Sequence, residues 1–297
     1  MVRIYFILIT GVIIVSSASL LVRWTGDVSF TAISLYRVLI SFCLLIIYQI
    51  ANPNLKSLHL RSWRWQYILA GFFLAAHFIF WIASLQMTTI ANSIFLEGMH
   101  PVFGVIVSIL FLKEFPHRRI TPIFFLAIIG MFLIVFNDID QSESKLTGDF
   151  LAVLSALWFA FYLMIARKYK DEKNFIRYLI YINGGASFFC AIYMVITGDA
   201  FWGYPTESWI FIFLLAIGPN LVGHSILNWA SRQIEIFKVN LVLLLEPVLA
   251  TLSGIIFLAE FPPLNFYFGA IFILVSLFFL VSQDKTFTKT SKSQTRN

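Results

Sequence analysis

Long apolar runs separated by short polar stretches make up nearly the whole chain. A helix needs ~20 apolar residues to cross a bilayer core, fewer where helices pack tightly. Runs of that kind fall at 4–22, 32–51, 65–85, 89–112, 120–136, 148–166, 178–197, 209–229, 237–258 and 265–282. The break between the third and fourth, Leu85-Gln86-Met87-Thr88-Thr89, is the shortest. The pattern predicts an all-α integral membrane protein with ten transmembrane helices. An even number of spans places both ends of the chain on one side, with a polar tail over 285–297. The first run follows a single basic residue, Arg3, and lacks a small-x-small cleavage site. With similar runs behind it, it reads as a retained helix and not as a signal peptide.

Composition agrees, and charge adds orientation. The chain is 60% hydrophobic and 12% charged, and phenylalanine supplies 33 of its 297 residues, too much apolar surface for a soluble domain to hide. The formal charge of +6 could suggest a nucleic-acid partner. With the N-terminus inside, however, the inner segments hold all of the 21 basic residues except Arg23, Arg37 and Lys145. The outer segments carry Asp27, Asp138, Asp140, Glu143, Asp149, Asp199, Glu207 and Glu260 instead. This is the positive-inside signature, which puts both termini in the cytoplasm and makes nucleic acid unnecessary as a partner. Cys43 and Cys190 both lie inside apolar runs, so neither a disulfide nor a metal cluster is expected.

Sliding the chain by 146 positions aligns HPVFGVIVSILFLKEFP (100–116) with EPVLATLSGIIFLAEFP (246–262), and eight of the 17 positions are identical. The match closes the fourth run and the ninth, so each half holds five spans: 1–142 and 143–284. Five is odd, so the two copies must be inverted with respect to each other, an architecture found in many secondary transporters. The pieces SLYR (34–37) and GDFLAVLSALWFAFYLMIARK (148–168), with the two Pro-Val…Leu-x-Glu segments, resemble the EamA branch of the drug/metabolite transporter superfamily over about residues 1–283. That resemblance implies a multi-pass carrier of the bacterial inner (plasma) membrane. It implies export of amino acids or other metabolites, or in some members import of nucleotide-like or vitamin-like solutes. The first copy departs from the family pattern by carrying Glu97 and His100 near its proline.

The polar residues inside the spans are the candidates for chemistry. On the ninth run Asn240, Leu243, Glu246, Ala250 and Gly254 share a face, and their repeat mates on the fourth are Ile94, Glu97, His100, Gly104 and Ser108. The small residues on these stripes read as helix-packing positions. Glu97 and Glu246 read as functional, because an intramembrane carboxylate costs ~2.5 kcal/mol or more and faces water or a partner. Either is a candidate proton carrier. Pro101 and Pro247 predict bends that free a carbonyl one turn back, serving a ligand, a gate or only the shape of the bundle. Arg37, with Ser34 and Ser41 on its face, has a fork that fits a carboxylate or phosphate. The other reading, preferred because this arginine looks general in the resembled family, is a buried pair with Glu97 or Glu246 that holds the halves together. His77, Trp81 and Ser84 share a face of the third run, as do Ser155, Trp158 and Tyr162 on the sixth and Asn220, His224 and Asn228 on the eighth. Those of the eighth run read as cavity-lining. Trp81 and Trp158 could stack on an aromatic solute, whereas Trp63, Trp65, Trp202 and Trp209 fit an interfacial belt.

No Walker loop, dinucleotide fingerprint, His-Glu-x-x-His or Gly-x-Ser-x-Gly motif occurs, so no cofactor, catalytic residue or metal site is expected. The expectation is a secondary transporter for a small polar or amphipathic, amino-acid-like metabolite, working outward by alternating access, with protons as a coupling ion and no set oligomeric state. The alternative class is an intramembrane enzyme using Glu97, His100 and Glu246 as acid and base. Reporter tags at the N-terminus and after Arg296 should both report cytoplasm, and an external C-terminus would break the inverted-repeat reading.

Overall fold

The computed structural model describes residues 2–52, 65–88, 90–135, 146–170, 174–258 and 264–294. All regular structure among them is helical: α1 (Val2–Val15), α2 (Ala18–Trp24), α3 (Phe30–Ala51), α4 (Trp65–Met87), α5 (Ile90–Glu97), α6 (His100–Val107, continued by a wide turn Ser108–Leu112), α7 (Ile120–Val135), α8 (Leu146–Lys168), α9 (Phe175–Thr197), α10 (Thr206–Leu215), a second wide segment (Ala216–His224), α11 (Ser225–Gln233), α12 (Ile236–Leu243), α13 (Leu245–Leu258) and α14 (Leu264–Gln294). Among the described residues, eight helical stretches are long and apolar enough to cross a membrane: Val2–Trp24, Phe30–Ala51, Trp65–Met87, Leu146–Lys168, Phe175–Thr197, Thr206–Gln233, Ile236–Phe257 and Leu264–Gln283.

The fourth and fifth of the ten expected spans are shorter, as the apolar helices His100–Leu112 and Ile120–Leu133. For the fourth the cause is a break at Gly98–Met99, which separates α5 from α6. The fifth runs into residues outside the described ones. So do the boundary at 142/143, the acidic positions Asp138, Asp140, Glu143 and Glu260, and the basic positions Lys56, Arg61, Arg64, Lys145, Lys173 and Arg296. The stretch expected as a polar tail is helical as far as Gln294, where α14 ends.

Packing follows the placement of small residues. α4 lies against α8 and α9, α3 against α9, and α7 against α14. At Gly71 a side-chain carbon would lie 2.6 Å from the Ile182 carbonyl oxygen and 2.7 Å from the Ala186 nitrogen, so the α4 and α9 backbones touch. Gly130 plays the same part for α7, 2.7 Å from the Gly269 carbonyl. In lipid, where burial of apolar side chains drives helices together only weakly, this close approach is the main source of association. The outer surface carries exposed Phe6, Ile50, Phe115, Ile196, Ile256 and Phe278, an apolar belt a soluble protein would not tolerate.

The end of α6 is tied to the second half of the chain. Lys113 takes a left-handed conformation (φ 56°) and ends the wide turn. The next residue, Glu114, then meets Arg167 at the end of α8, with Nε and Nη2 each 2.8 Å from its Oε1. The glutamate of the first Leu-x-Glu motif is thus a structural anchor.

Gly71→Ala forces a carbon into neighbouring backbone that has no rotamer to yield. It should destabilise the detergent-solubilised protein by ~1–3 kcal/mol, read as a lower midpoint of thermal unfolding. Gly218→Ala, whose added carbon meets only Ile14 Cγ2 at 3.9 Å, should leave that midpoint unchanged.

Candidate functional site: a cavity at three helix breaks

Three of the expected spans are broken, and the breaks meet. α1 gives way to α2 at Ser16–Ser17, where the serine hydroxyls donate to the carbonyls of Ile13 (2.8 Å) and Ile14 (2.7 Å). α5 ends at Glu97 and α6 begins at His100. α12 ends at Leu243 and α13 begins at Leu245. Val15 and Ala18 from the first break, Glu97 and His100 from the second, and Leu243 and Glu246 from the third line one cavity. Its wall is completed by Arg37, His77, Phe78, Trp81, Phe159 and His224.

The breaks change the meaning of the two prolines. They stand in the first turns of α6 and α13, where backbone N–H groups have no intrahelical partner to lose. Pro101 and Pro247 start new helices and do not bend continuous ones. The breaks also set the field at the two carboxylates. Glu246 lies in the first turn of α13, where the helix dipole favours negative charge, whereas Glu97 closes α5, where the dipole opposes it.

Arg37 is the cationic wall. Its side chain is 1% exposed and its guanidinium lies over the Phe78 ring, 3.6 Å from the centroid. Nε and Nη1 have no hydrogen-bond partner. Among the described residues no ion pair joins it to Glu97 or Glu246, although all three face the same cavity. The preferred expectation of a direct buried pair is therefore not met in this conformation. The backbone behind Arg37 is what holds it. Its carbonyl accepts from the Ser41 hydroxyl (2.9 Å) and from Asn220 Nδ2 (3.3 Å). Asn220 Nδ2 also donates to Ser41 Oγ (2.8 Å) and Asn183 Oδ1 (3.0 Å), and Ser41 Oγ donates to the Ala216 carbonyl at the start of the second wide segment (2.8 Å).

Three histidines complete the polar lining. His77 Nδ1 sits 2.9 Å from Ser155 Oγ, with its ring stacked on Trp81. His224 packs edge-on to Phe78 and its Nδ1 has no partner. His100 uses Nδ1 toward the Glu97 carbonyl (3.0 Å), leaving Nε2 unpartnered. The cavity itself measures about 20 Å³, room for about one water molecule. A second cavity of about 10 Å³ shares Trp81, Glu97, His100 and Glu246 with it and extends along Ser19, Ile94, Pro247 and Ala250. The site is closed to any solute larger than water.

Of the residues singled out from sequence, Arg37, His77, Trp81, Glu97, His100, His224 and Glu246 come together on this wall. Trp158, Tyr162, Asn220, Asn228 and Asn240 do not line it. Trp158 stacks on Phe73 at 5.7 Å in an aromatic cluster with Phe72 and Phe161. Asn228 donates to the Tyr162 hydroxyl and accepts from Tyr178 (3.3 Å), a buried tie between α8, α9 and α11. Asn220 supports Arg37 from behind, and Asn240 donates to the His100 carbonyl (3.1 Å). In each case the amide nitrogen is taken up inside the protein, while Oδ1 of Asn220 and of Asn240 has no partner. Sequence reasoning missed Val15, Ala18, Phe78 and Phe159, whereas Leu243 belongs to the stripe of the ninth run. The first pair had a signal, the Ser16–Ser17 step in an otherwise apolar run, since serine pairs are common sites of helix interruption.

Apolar helices of bilayer length, closed around a buried polar cavity, define a multi-pass membrane protein with an internal site. The comparisons supply the family. The model of the EamA-like transporter family matches residues 2–136 and again 146–282. The chain belongs to the EamA-like transporter family. An uncharacterized transporter of Archaeoglobus fulgidus is 22% identical over 198 residues, 66% of this chain and 69% of the relative. A crystal structure at 14% identity superposes with a TM-score of 0.79, covering 93% of this chain and 96% of that one, which shows a shared fold.

Because Arg37 has no directly bonded carboxylate to strand, Arg37→Ala should lose the ring contact, ~0.5–2 kcal/mol, and a longer-range attraction to Glu246, and keep its folded yield. Breaking a buried pair would instead cost ~3–5 kcal/mol. A collapsed yield that Glu246→Gln restores would show that the two residues do pair.

Proposed function

We propose that this protein is a secondary transporter that moves a small zwitterionic, amino-acid-like metabolite out of the cell across the bacterial inner membrane. The observation that carries this reading is the presence, in one cavity, of a buried arginine with two unbonded guanidinium nitrogens and of two carboxylates outside any ion pair among the described residues. The guanidinium fork suits a solute carboxylate, and Glu97 and Glu246 suit its ammonium group. Phe78, Trp81 and Phe159 give the rest of the solute an apolar wall.

Packing supports two inverted halves of five spans. α4 packs on α8 and α9, and its repeat counterpart, the helix running from α10 to α11, packs on α1–α2 and on α3. α3 lies on its own counterpart α9, α7 on α14, and α6 on α12, the counterpart of α5. Such halves can rock about the central cavity, opening it to each side in turn, while the loop charges put both termini in the cytoplasm.

A proton and the solute ammonium compete for the same carboxylates, and that competition is the minimum needed to couple proton entry to solute exit. The dipole of α13 favours the charged form of Glu246 and the end of α5 disfavours it at Glu97, so Glu246 is the residue that exchanges protons. In proteoliposomes, wild-type protein should accumulate an amino acid, chemically unchanged, on the acidic side of an imposed pH gradient. Glu246→Gln should still bind the solute and exchange it at equal concentrations, while losing accumulation driven by the gradient. Glu97→Gln should retain that accumulation. Chemical change of the solute without flux would favour the membrane-enzyme reading, and full gradient-driven uptake by Glu246→Gln would remove Glu246 as the proton carrier.

A further inference from the structure

The repeat relation identifies contacts that ought to be equivalent and are not. A shift of 146 positions carries Gly104 onto Ala250 and Ile94 onto Asn240. In the structure Asn240 is packed directly on Gly104. A side-chain carbon built at Gly104 would overlap the Asn240 amide nitrogen, and it would lie 3.3 Å from Cγ and 3.7 Å from Cβ. Asn240 Nδ2 also donates to the His100 carbonyl one turn before Gly104 (3.1 Å), and Asn240 is fully buried. α6 and α12 are sealed together here. The counterpart pair behaves differently. Among the described residues α5 is not closely packed along α13, and Ile94 and Ala250 both line the second cavity, which Glu97 and Glu246 also line.

We propose that these two pairs are the gates of the transport pathway: Gly104 with Asn240 on the cytoplasmic side, in contact in this structure, and Ile94 with Ala250 on the outer side, with the small second cavity between them. This rests on the inverted-repeat transporter reading and adds to it the residues that open and shut. Gly104 is glycine because the inner gate closes on backbone. Asn240 latches it through the His100 carbonyl, so closure is tied to the helix that carries a wall of the cavity. The outer pair has no such latch. Ile94 has no donor, and Ala250 has a carbon where Gly104 has none, so the outer gate closes on apolar contact alone. In the alternate state α5 folds against α13 while α6 leaves α12.

Cross-linking tests this without a solute. The chain with Cys43→Ser and Cys190→Ala receives two cysteine pairs, singly and together: Gly104→Cys with Asn240→Cys, and Ile94→Cys with Ala250→Cys. The inner pair has a carbon separation of 3.7 Å, inside the usual disulfide range. On oxidation in native membranes, folded protein with either pair should cross-link. With all four cysteines present, each molecule should carry one cross-link or the other, never both. Adding Gly104→Ala to the outer pair alone should raise its cross-linking rate about tenfold, the equilibrium shift expected from one overpacked methyl. Doubly cross-linked molecules would overturn the proposal. So would an inner or an outer pair that never cross-links in folded protein, or an outer rate indifferent to Gly104→Ala. If cross-linking behaves as expected and reconstituted protein moves no solute, the gates stand and the transporter assignment fails. If solute moves while both cross-links coexist, the reverse holds.

Discussion

Inside a bilayer every backbone N–H and C=O must find its partner within the protein, because the solvent offers none. A helix break is therefore the one place where a spanning segment exposes polar backbone, and this chain gathers three of them around a single cavity. Each break is partly repaired by side chains from its own neighbourhood. Ser16 and Ser17 return to the carbonyls of α1, His100 to the Glu97 carbonyl, and Asn240 crosses over to the His100 carbonyl. The histidine, the asparagine and the two serines are thus required by the broken backbone before any solute is considered. The first-turn prolines follow from the same constraint.

Arg37 depends on a different solution to that problem. The second wide segment, Ala216–His224, contains Pro219, and it leaves the Ala216 carbonyl to accept from Ser41. Ser41 and Asn220 together hold the Arg37 carbonyl, so the α3 backbone is positioned from behind by the helix that presents His224 to the cavity. Phe78 then fixes the guanidinium from below without using its donors. A cation that is rigid, buried and incompletely bonded is costly to an empty site, and it becomes favourable when an anionic group of the right width enters.

Much of this was legible in the apolar pattern, and the limits have physical causes. The helical class, the repeat and Glu97 and Glu246 as candidates, which the structure brings to one cavity, were legible because hydrophobic run length and intramembrane charge are direct physical signals. The breaks were not: Leu244 carries no breaker, the glycine at Gly98 is also tolerated inside helices, and the prolines beside both suggested bends. The three polar residues of the eighth span looked equivalent on a helical wheel. Only His224 reaches the cavity: Asn220 Nδ2 is held by the Arg37 carbonyl, Ser41 and Asn183, and Asn228 is tied to Tyr162 and Tyr178. For Arg37 the sequence suggested an ion pair, and the structure places an aromatic ring against the cation instead.

The two halves repeat each other in backbone far more than in chemistry. Both broken helices restart on a proline, but the residue before that proline is His100 in one half and Glu246 in the other. One turn earlier the residues are Glu97 and Leu243. Each half contributes one carboxylate, yet at positions that differ by a turn, so one lies at the negative end of a half-helix and the other at the positive end. Equivalent placement would give both carboxylates the same helix-end field, with nothing to decide which of them exchanges a proton. Displacement by a turn separates their preferences and, on the proposed mechanism, leaves intact the backbone symmetry that lets the halves rock between two facing states. On the proposed mechanism the symmetric scaffold supplies the motion, and the broken symmetry of two residue pairs supplies the coupling.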